Sequence, residues 1–370
     1  MSTSITEILD DAVGLRRSGH LKRALRRSRE AVAEARSAGE SPTVVANCLL
    51  IEGTLLIELS LPRDAIRVLR SAKAALNAQD GSSVGKTYRS ICLALGRALR
   101  RAGQYAEAEE ELRGILSVTM TQSAADSEQL AHILNELGIT YKYSGNFDEG
   151  ARVYERLLAI AESRFGADST HAADVLHNIA GLAHAAGDHA AAEETARRGL
   201  AMRIRVDGPN SLKAAADRTA LAAILVNRGR TGEAESILRE ALAVYEQAYG
   251  PEHYEVAVLL HNLASAAAVS GDFEMAEADL VRSAQIKKAV LGSHHPELAI
   301  TLHNLAEVLA RTGRTTEARA HLADCIGILE GVVAPDHPTL AAARAALGAI
   351  REDAGATSDQ SPPPATSPRT

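Results

Sequence analysis

Leu260-His-Asn-Leu-Ala264, followed by Gly271-Asp-Phe-Glu-Met-Ala-Glu277, is a pattern that repeats along the chain. One small residue, Ala264, stands seven positions before a glycine, and another, Ala276, stands five positions after it. Steps of 42 residues from Gly271 land on Gly313, Gly229, Gly187, Gly145, Gly103 and Gly19, with Leu61 the exception. The first small column reads Ala12, Thr54, Gly96, Gly138, Ala180, Ala222, Ala264 and Ala306. The second reads Ala24, Ile66, Ala108, Gly150, Ala192, Ala234, Ala276 and Ala318. Apolar residues recur at helical spacing on both sides of the glycine, as in Leu302, Leu305 and Leu309 before it and Ile237, Leu238, Ala241 and Leu242 after it. Each unit therefore reads as two amphipathic helices that reverse at a left-handed residue, a conformation that costs little only for glycine. The small columns let the two helix axes approach closely.

Extended outward, the period gives eight hairpins over about residues 3–336 and a capping helix over roughly 337–352, so 17 helices and no strands. The expected domain is a repeat array over 1–353, with 1–126 the more divergent part, where the register is least defined. The stretch 354–370 is rich in Pro and Ser, lacks apolar periodicity and is expected to be disordered.

The composition agrees. Hydrophobic residues make up 46% of the 370 residues and aromatics 3%, with no Trp. The core must be built from Ala, Leu, Ile and Val, a mixture suited to packed helices. A net charge of −7 disfavours a dedicated nucleic-acid binder. No run approaches the ~18 apolar residues of a membrane span, and the N-terminus lacks a secretory pattern. Cys48, Cys92 and Cys325 are far apart and odd in number, which points to a reducing, cytoplasmic setting.

The pattern L-x-N-L-A … G-x-[FY]-x-x-A-E … L-G-x-x-H-P resembles the tetratricopeptide repeat (TPR), in the 42-residue variety of kinesin light chains. It is carried by Leu260–Ala264 with Gly271–Glu277, by Leu302-His-Asn-Leu-Ala306 with Gly313–Ala318, and by Leu176-His-Asn-Ile-Ala180. The resemblance is strong over about 127–352 and looser before that. His189, Thr231 and Thr315 replace the usual aromatic. The resemblance implies an all-α, right-handed superhelix (an α-solenoid) whose inner groove binds peptides or proteins, and it implies no catalysis.

In that family an Asn on the first helix of a hairpin faces the groove and grips a peptide backbone. The matching positions here are Asn178, Asn262 and Asn304, while Ala94, Glu136 and Ala220 depart from it. An amide offers both donor and acceptor to an extended chain. His177, His261 and His303 precede those amides and read as polar groove lining. No His pair has the i, i+4 spacing of a helical metal site, so neither metal nor cofactor is expected. His253, His295 and His337 start first helices and read as repeat-junction residues. Arg97, Arg100 and Lys142 fall on columns expected to face the groove, where they would form a cationic surface for an acidic partner segment.

Two features are decoys. Gly81-Ser-Ser-Val-Gly-Lys86-Thr87 is like a phosphate-binding loop, but has three residues between its glycines and helices on both sides. The basic run from Arg16 to Arg29 lacks interleaved aromatics and reads as a solubilising face. The expected function is that of a non-catalytic protein-interaction scaffold, with a protein or peptide partner, no nucleic acid and no membrane. Self-association stays open. The alternative is a regulatory sensor whose groove takes a small ligand or signalling peptide and controls an effector.

Overall fold

The computed structural model describes residues 4–77, 85–122, 128–330 and 337–358, and among them it holds seventeen helices and no strand. They are α1 Ile5–Arg17, α2 Leu21–Ser37, α3 Pro42–Glu58, α4 Pro62–Asn77, α5 Lys86–Arg101, α6 Tyr105–Gln122, α7 Glu128–Ser144, α8 Phe147–Phe165 and α9 Thr170–Ala185. These are followed by α10 His189–Asp207, α11 Leu212–Asn227, α12 Thr231–Tyr249, α13 Tyr254–Ser270, α14 Phe273–Leu291, α15 Pro296–Arg311, α16 Thr315–Leu329 and α17 Pro338–Ser358. The last helix runs past the expected end at 352, and the remainder of the expected tail, 359–370, lies outside the described residues. So do residues 81–84 of the phosphate-loop decoy, whose Lys86 opens α5.

The chain forms two compact units, residues 1–195 and 196–370, with the boundary inside α10. In unit 1, Leu55, Leu56, Leu69, Ile91 and Leu95 belong to one buried cluster that continues onto α1 and α2. In unit 2, Leu280, Leu305, Leu309, Leu322 and Leu340 carry the core toward α17.

The turn glycines behave as their spacing demands. Gly19, Gly103, Gly145, Gly187, Gly229, Gly271 and Gly313 all have φ between +73° and +87°. At each, the next residue's N–H donates to the carbonyl five positions back, as in Asp272 to Ala267 and Gln104 to Leu99, the bond that closes a Schellman turn. In the second hairpin that bond runs from Leu61 to Leu56, and the left-handed residue is Ser60, at φ 58°. The turn therefore sits one position earlier than a strict 42-residue step places it. Counting from Ser60 puts Gly53 and Ala65, not Thr54 and Ile66, in the small columns, and both are buried. The apparent break in the pattern is a one-residue slip in register.

The small columns are interior for a steric reason. A Cβ built on Gly138 would lie 2.4 Å from Cζ of Tyr154, and one on Gly53 would lie 2.6 Å from Leu69. Tyr154 is 1% exposed, so its ring has no room to swing away. Gly138→Ala should therefore destabilise the fold. Overpacking costs about 1–3 kcal/mol, against a helix-propensity gain of roughly 0.5–1 kcal/mol. A urea midpoint at or above wild type would place this column outside the interface.

Two ladders of side-chain contacts join successive hairpins. Among second helices, Arg70 meets Glu107 at 2.6 Å, Lys73 meets Glu111 at 2.7 Å, Arg282 meets Glu246 at 2.7 Å and Arg314 meets Glu277 at 2.6 Å. Most are well exposed, where a single pair contributes ~0–1 kcal/mol. The other ladder joins first helices and carries the candidate site.

Candidate functional site

Asn178 of α9 donates from Nδ2 to Oδ1 of Asn135 on α7, at 2.8 Å. The two amides stand at a cavity of about 500 Å³ lined by α7, the end of α8 and the start of α9. Its floor is apolar, with Leu157, Ile160, Ala161 and Val175 all buried. Its rim is polar and aromatic. Phe165 stacks on His171 with ring centroids 3.7 Å apart, and the Arg164 guanidinium lies 5.3 Å from the Phe165 ring centre. The bridge uses one donor and one acceptor, which leaves the carbonyl of Asn178 and the NH₂ of Asn135 unpaired among the described residues. His177 stands half-buried beside this pair. The sequence analysis named Asn178 but not its partner Asn135, whose only signal is its place 43 residues upstream.

The expected cationic surface is corrected by Glu136. Its carboxylate takes Arg97 at 2.7 Å and Arg100 at 3.2 Å, and its side chain is only 6% exposed. Glu136 occupies the column that holds Asn178 in the next hairpin, so the departure from the amide pattern supplies the counter-ion for the two arginines. Lys142, by contrast, has no carboxylate within ion-pair distance among the described residues, and its Nζ lies 5.5 Å from the Tyr143 ring centre. It also helps to hold the His184 pKa below the usual imidazole value, after burial and His189.

In unit 2, His261 and Asn304 are not free groove groups but partners. Asn304 Nδ2 lies 3.1 Å from His261 Nε2, and Thr301 Oγ1 lies 3.4 Å from His261 Nδ1. Buried Lys287 donates to Thr301 Oγ1 at 3.0 Å, and the Tyr254 hydroxyl donates to Glu297 at 2.5 Å. The bonds are mutually consistent when His261 is neutral with its proton on Nδ1, a tautomer assigned from the network. Burial, followed by the Lys287 charge, lowers the His261 pKa to about 4. Asn304 also lines a cavity of about 210 Å³ with Ser265, Leu280 and Arg311. His303 is buried, with Nε2 3.6 Å from Glu307. Asn262 is half-buried, and its amide has no partner among the described residues. Two of the three junction histidines are helix caps: His253 and His295 accept from the N–H of Glu255 and Glu297, each at 3.2 Å.

Among the described residues no group of three or more His, Cys, Asp or Glu is placed to hold a metal ion. No described helix is long and apolar enough to cross a membrane. The three cysteines are free and buried.

The tetratricopeptide repeat profile matches residues 88–163, 129–205, 212–280 and 255–331, more than half of the chain. The chain belongs to the tetratricopeptide repeat family. The apo quorum sensor NprR from B. thuringiensis is similar at 15% identity and a TM-score of 0.63, over 89% of each chain. A Rap protein complexed with competence and sporulation factor is similar at 13% identity and a TM-score of 0.55, over 95% of this chain and 98% of that one. BtubC (BKLC) from P. vanneervenii is similar at 19% identity and a TM-score of 0.50, over 72% and 95%. At these identities the likeness shows the TPR solenoid fold. No curated protein matches the chain.

Proposed function

We propose that this TPR chain is a non-catalytic interaction scaffold that seats an extended peptide or partner segment along the groove face of its first helices. The observation that carries the reading is the Asn135–Asn178 bridge at the mouth of an apolar-floored cavity. A peptide backbone needs paired donor and acceptor, and its side chains need an apolar floor, and this is where both stand together. Asn262 is a second backbone-gripping amide, while Asn304, His261 and His303 shape the face beside it. His177 lines the first site. Of the cations, Lys142 is the one to meet an acidic partner segment, because Arg97 and Arg100 are balanced by Glu136.

The test begins with affinity capture from the native cell and mass spectrometry, followed by titration of the captured partner. Asn135→Ala with Asn178→Ala should weaken binding by about 0.5–1.5 kcal/mol for each lost hydrogen bond, with helicity unchanged. Lys142→Ala should flatten the salt dependence of binding, since a screened charge is what it supplies. Unchanged affinity in both variants would move the interface away from the first helices. A second reading, a regulatory sensor for a small ligand or signalling peptide, draws support from the fold shared with a quorum sensor and a Rap protein complexed with competence and sporulation factor. Saturable binding of such a ligand by the purified chain would favour it.

A further inference from the structure

At the turn end of the second to fourth hairpins, unit 1 holds a cavity of about 480 Å³ lined by Ser60, Pro62, Arg100, Arg101, Tyr105 and Tyr143. No acidic side chain lines it. The nearby acids are engaged: Glu136 serves Arg97 and Arg100, and Glu58 at the end of α3 is 2.5 Å from Arg16. Arg101 is exposed and spends one Nη1 hydrogen on the Ile57 carbonyl, at 2.9 Å. It has no carboxylate among the described residues, nor has Lys142 just behind Tyr143. In a chain of net charge −7, this is a local excess of positive charge, because two carboxylates, Glu136 and Glu58, stand among five cations, Arg16, Arg97, Arg100, Arg101 and Lys142.

The aromatic half is as specific. Tyr105 and Tyr143 are nearly parallel, with planes 12° apart and ring centres 6.4 Å apart, and Tyr143 is 55% exposed. The Arg100 guanidinium stands 5.9 Å and the Lys142 ammonium 5.5 Å from the Tyr143 ring centre. An exposed aromatic face takes a planar ring, and a guanidinium fork takes an oxyanion in two-point contact. A cavity of this size holds one such unit, and the acidic chain around it repels a polyanion.

We propose that this pocket binds a mononucleotide, its base stacked on Tyr143 and its phosphate held by Arg101. The site is separate from the Asn135–Asn178 cavity, and the proposal does not depend on the peptide reading. A small ligand at the turns of unit 1 gives the chain a second input beside its partner.

Calorimetric titration of the full chain with adenosine and guanosine 5′-monophosphates tests it, with the nucleosides and inorganic phosphate as separate arms. The nucleotides should bind saturably, and nucleoside or phosphate alone should bind about tenfold more weakly or worse. Arg101→Gln and Tyr143→Leu, both exposed, should each weaken nucleotide binding by about tenfold with helicity unchanged, whereas Asn178→Ala should leave it intact. Absence of saturable heat at millimolar nucleotide would overturn the proposal. So would affinity unmoved by either variant, or phosphate binding as tightly as nucleotide, which would remove the ring subsite. A peptide ending in an aromatic residue with a free carboxylate that outcompetes the nucleotides would reassign the pocket to a protein partner.

Discussion

Asp217→Ala is expected to lower the stability of this chain by about 1.5–3 kcal/mol, the range for a hydrogen bond to a charged group. Arg203 of α10 is 1% exposed, and its Nε donates to Asp217 Oδ2 of α11 at 3.0 Å, while its Nη1 donates to Asp207 at 2.9 Å. A guanidinium cannot shed its proton to escape burial, so losing Asp217 takes from the buried charge the more buried of these two carboxylates, while Asp207 stays at 2.9 Å. The double variant Arg203→Met with Asp217→Leu should recover most of the loss, because a well-packed apolar pair of similar volume avoids desolvating two ions. Urea unfolding of the three proteins decides it. A wild-type midpoint for Asp217→Ala would show that the pair is not what neutralises Arg203.

The second large effect is an acid-driven loss of stability through His261. Its native pKa of about 4 lies below the ~6.5 of an unfolded imidazole. Between those values the unfolded chain holds a proton that the native chain refuses, so stability rises with pH across that window. The contribution is fully present above about pH 6.5 and is lost as the pH falls toward 4, for roughly 3 kcal/mol in all. The charged and titratable groups around the ring are Lys287 on α14, Glu297 on α15 and Tyr254 on α13, and protonated His261 would face the buried Lys287 ammonium. Thermal unfolding at pH 7 and pH 4.5 should show wild type losing more than His261→Gln. Equal losses in the two proteins would mean that His261 is not protected from protonation.

The candidate site divides by the same logic of distance. Asn178, Asn262 and Asn304 share one column of the repeat, yet they have three fates: Asn178 bridges to Asn135, Asn304 binds His261, and Asn262 keeps its amide free among the described residues. The residue that decides each fate lies on another helix, 43 positions away for the two that are paired. A column of like residues shows which face they share, but not what stands opposite. Arg97 and Arg100 read as an open cationic patch for the same reason, and Glu136, read as a departure from the amide pattern, is what closes it.

The hairpins are legible in the sequence because their causes are local. A left-handed turn selects Gly within one residue, close helix contact selects Ala or Gly within one column, and both recur with the period. Even the second hairpin obeys the rule, but there the turn falls on Ser60 and the small residue on Gly53, which only the Schellman bond from Leu61 to Leu56 identifies. Everything that depends on two helices meeting is decided in three dimensions: the Arg203–Asp217 pair, the neutral His261, and the joining of Tyr105 with Tyr143 across 38 residues. Backbone preference acts within a turn of helix, whereas burial, charge balance and ring stacking depend on which side chains packing brings within a few ångströms.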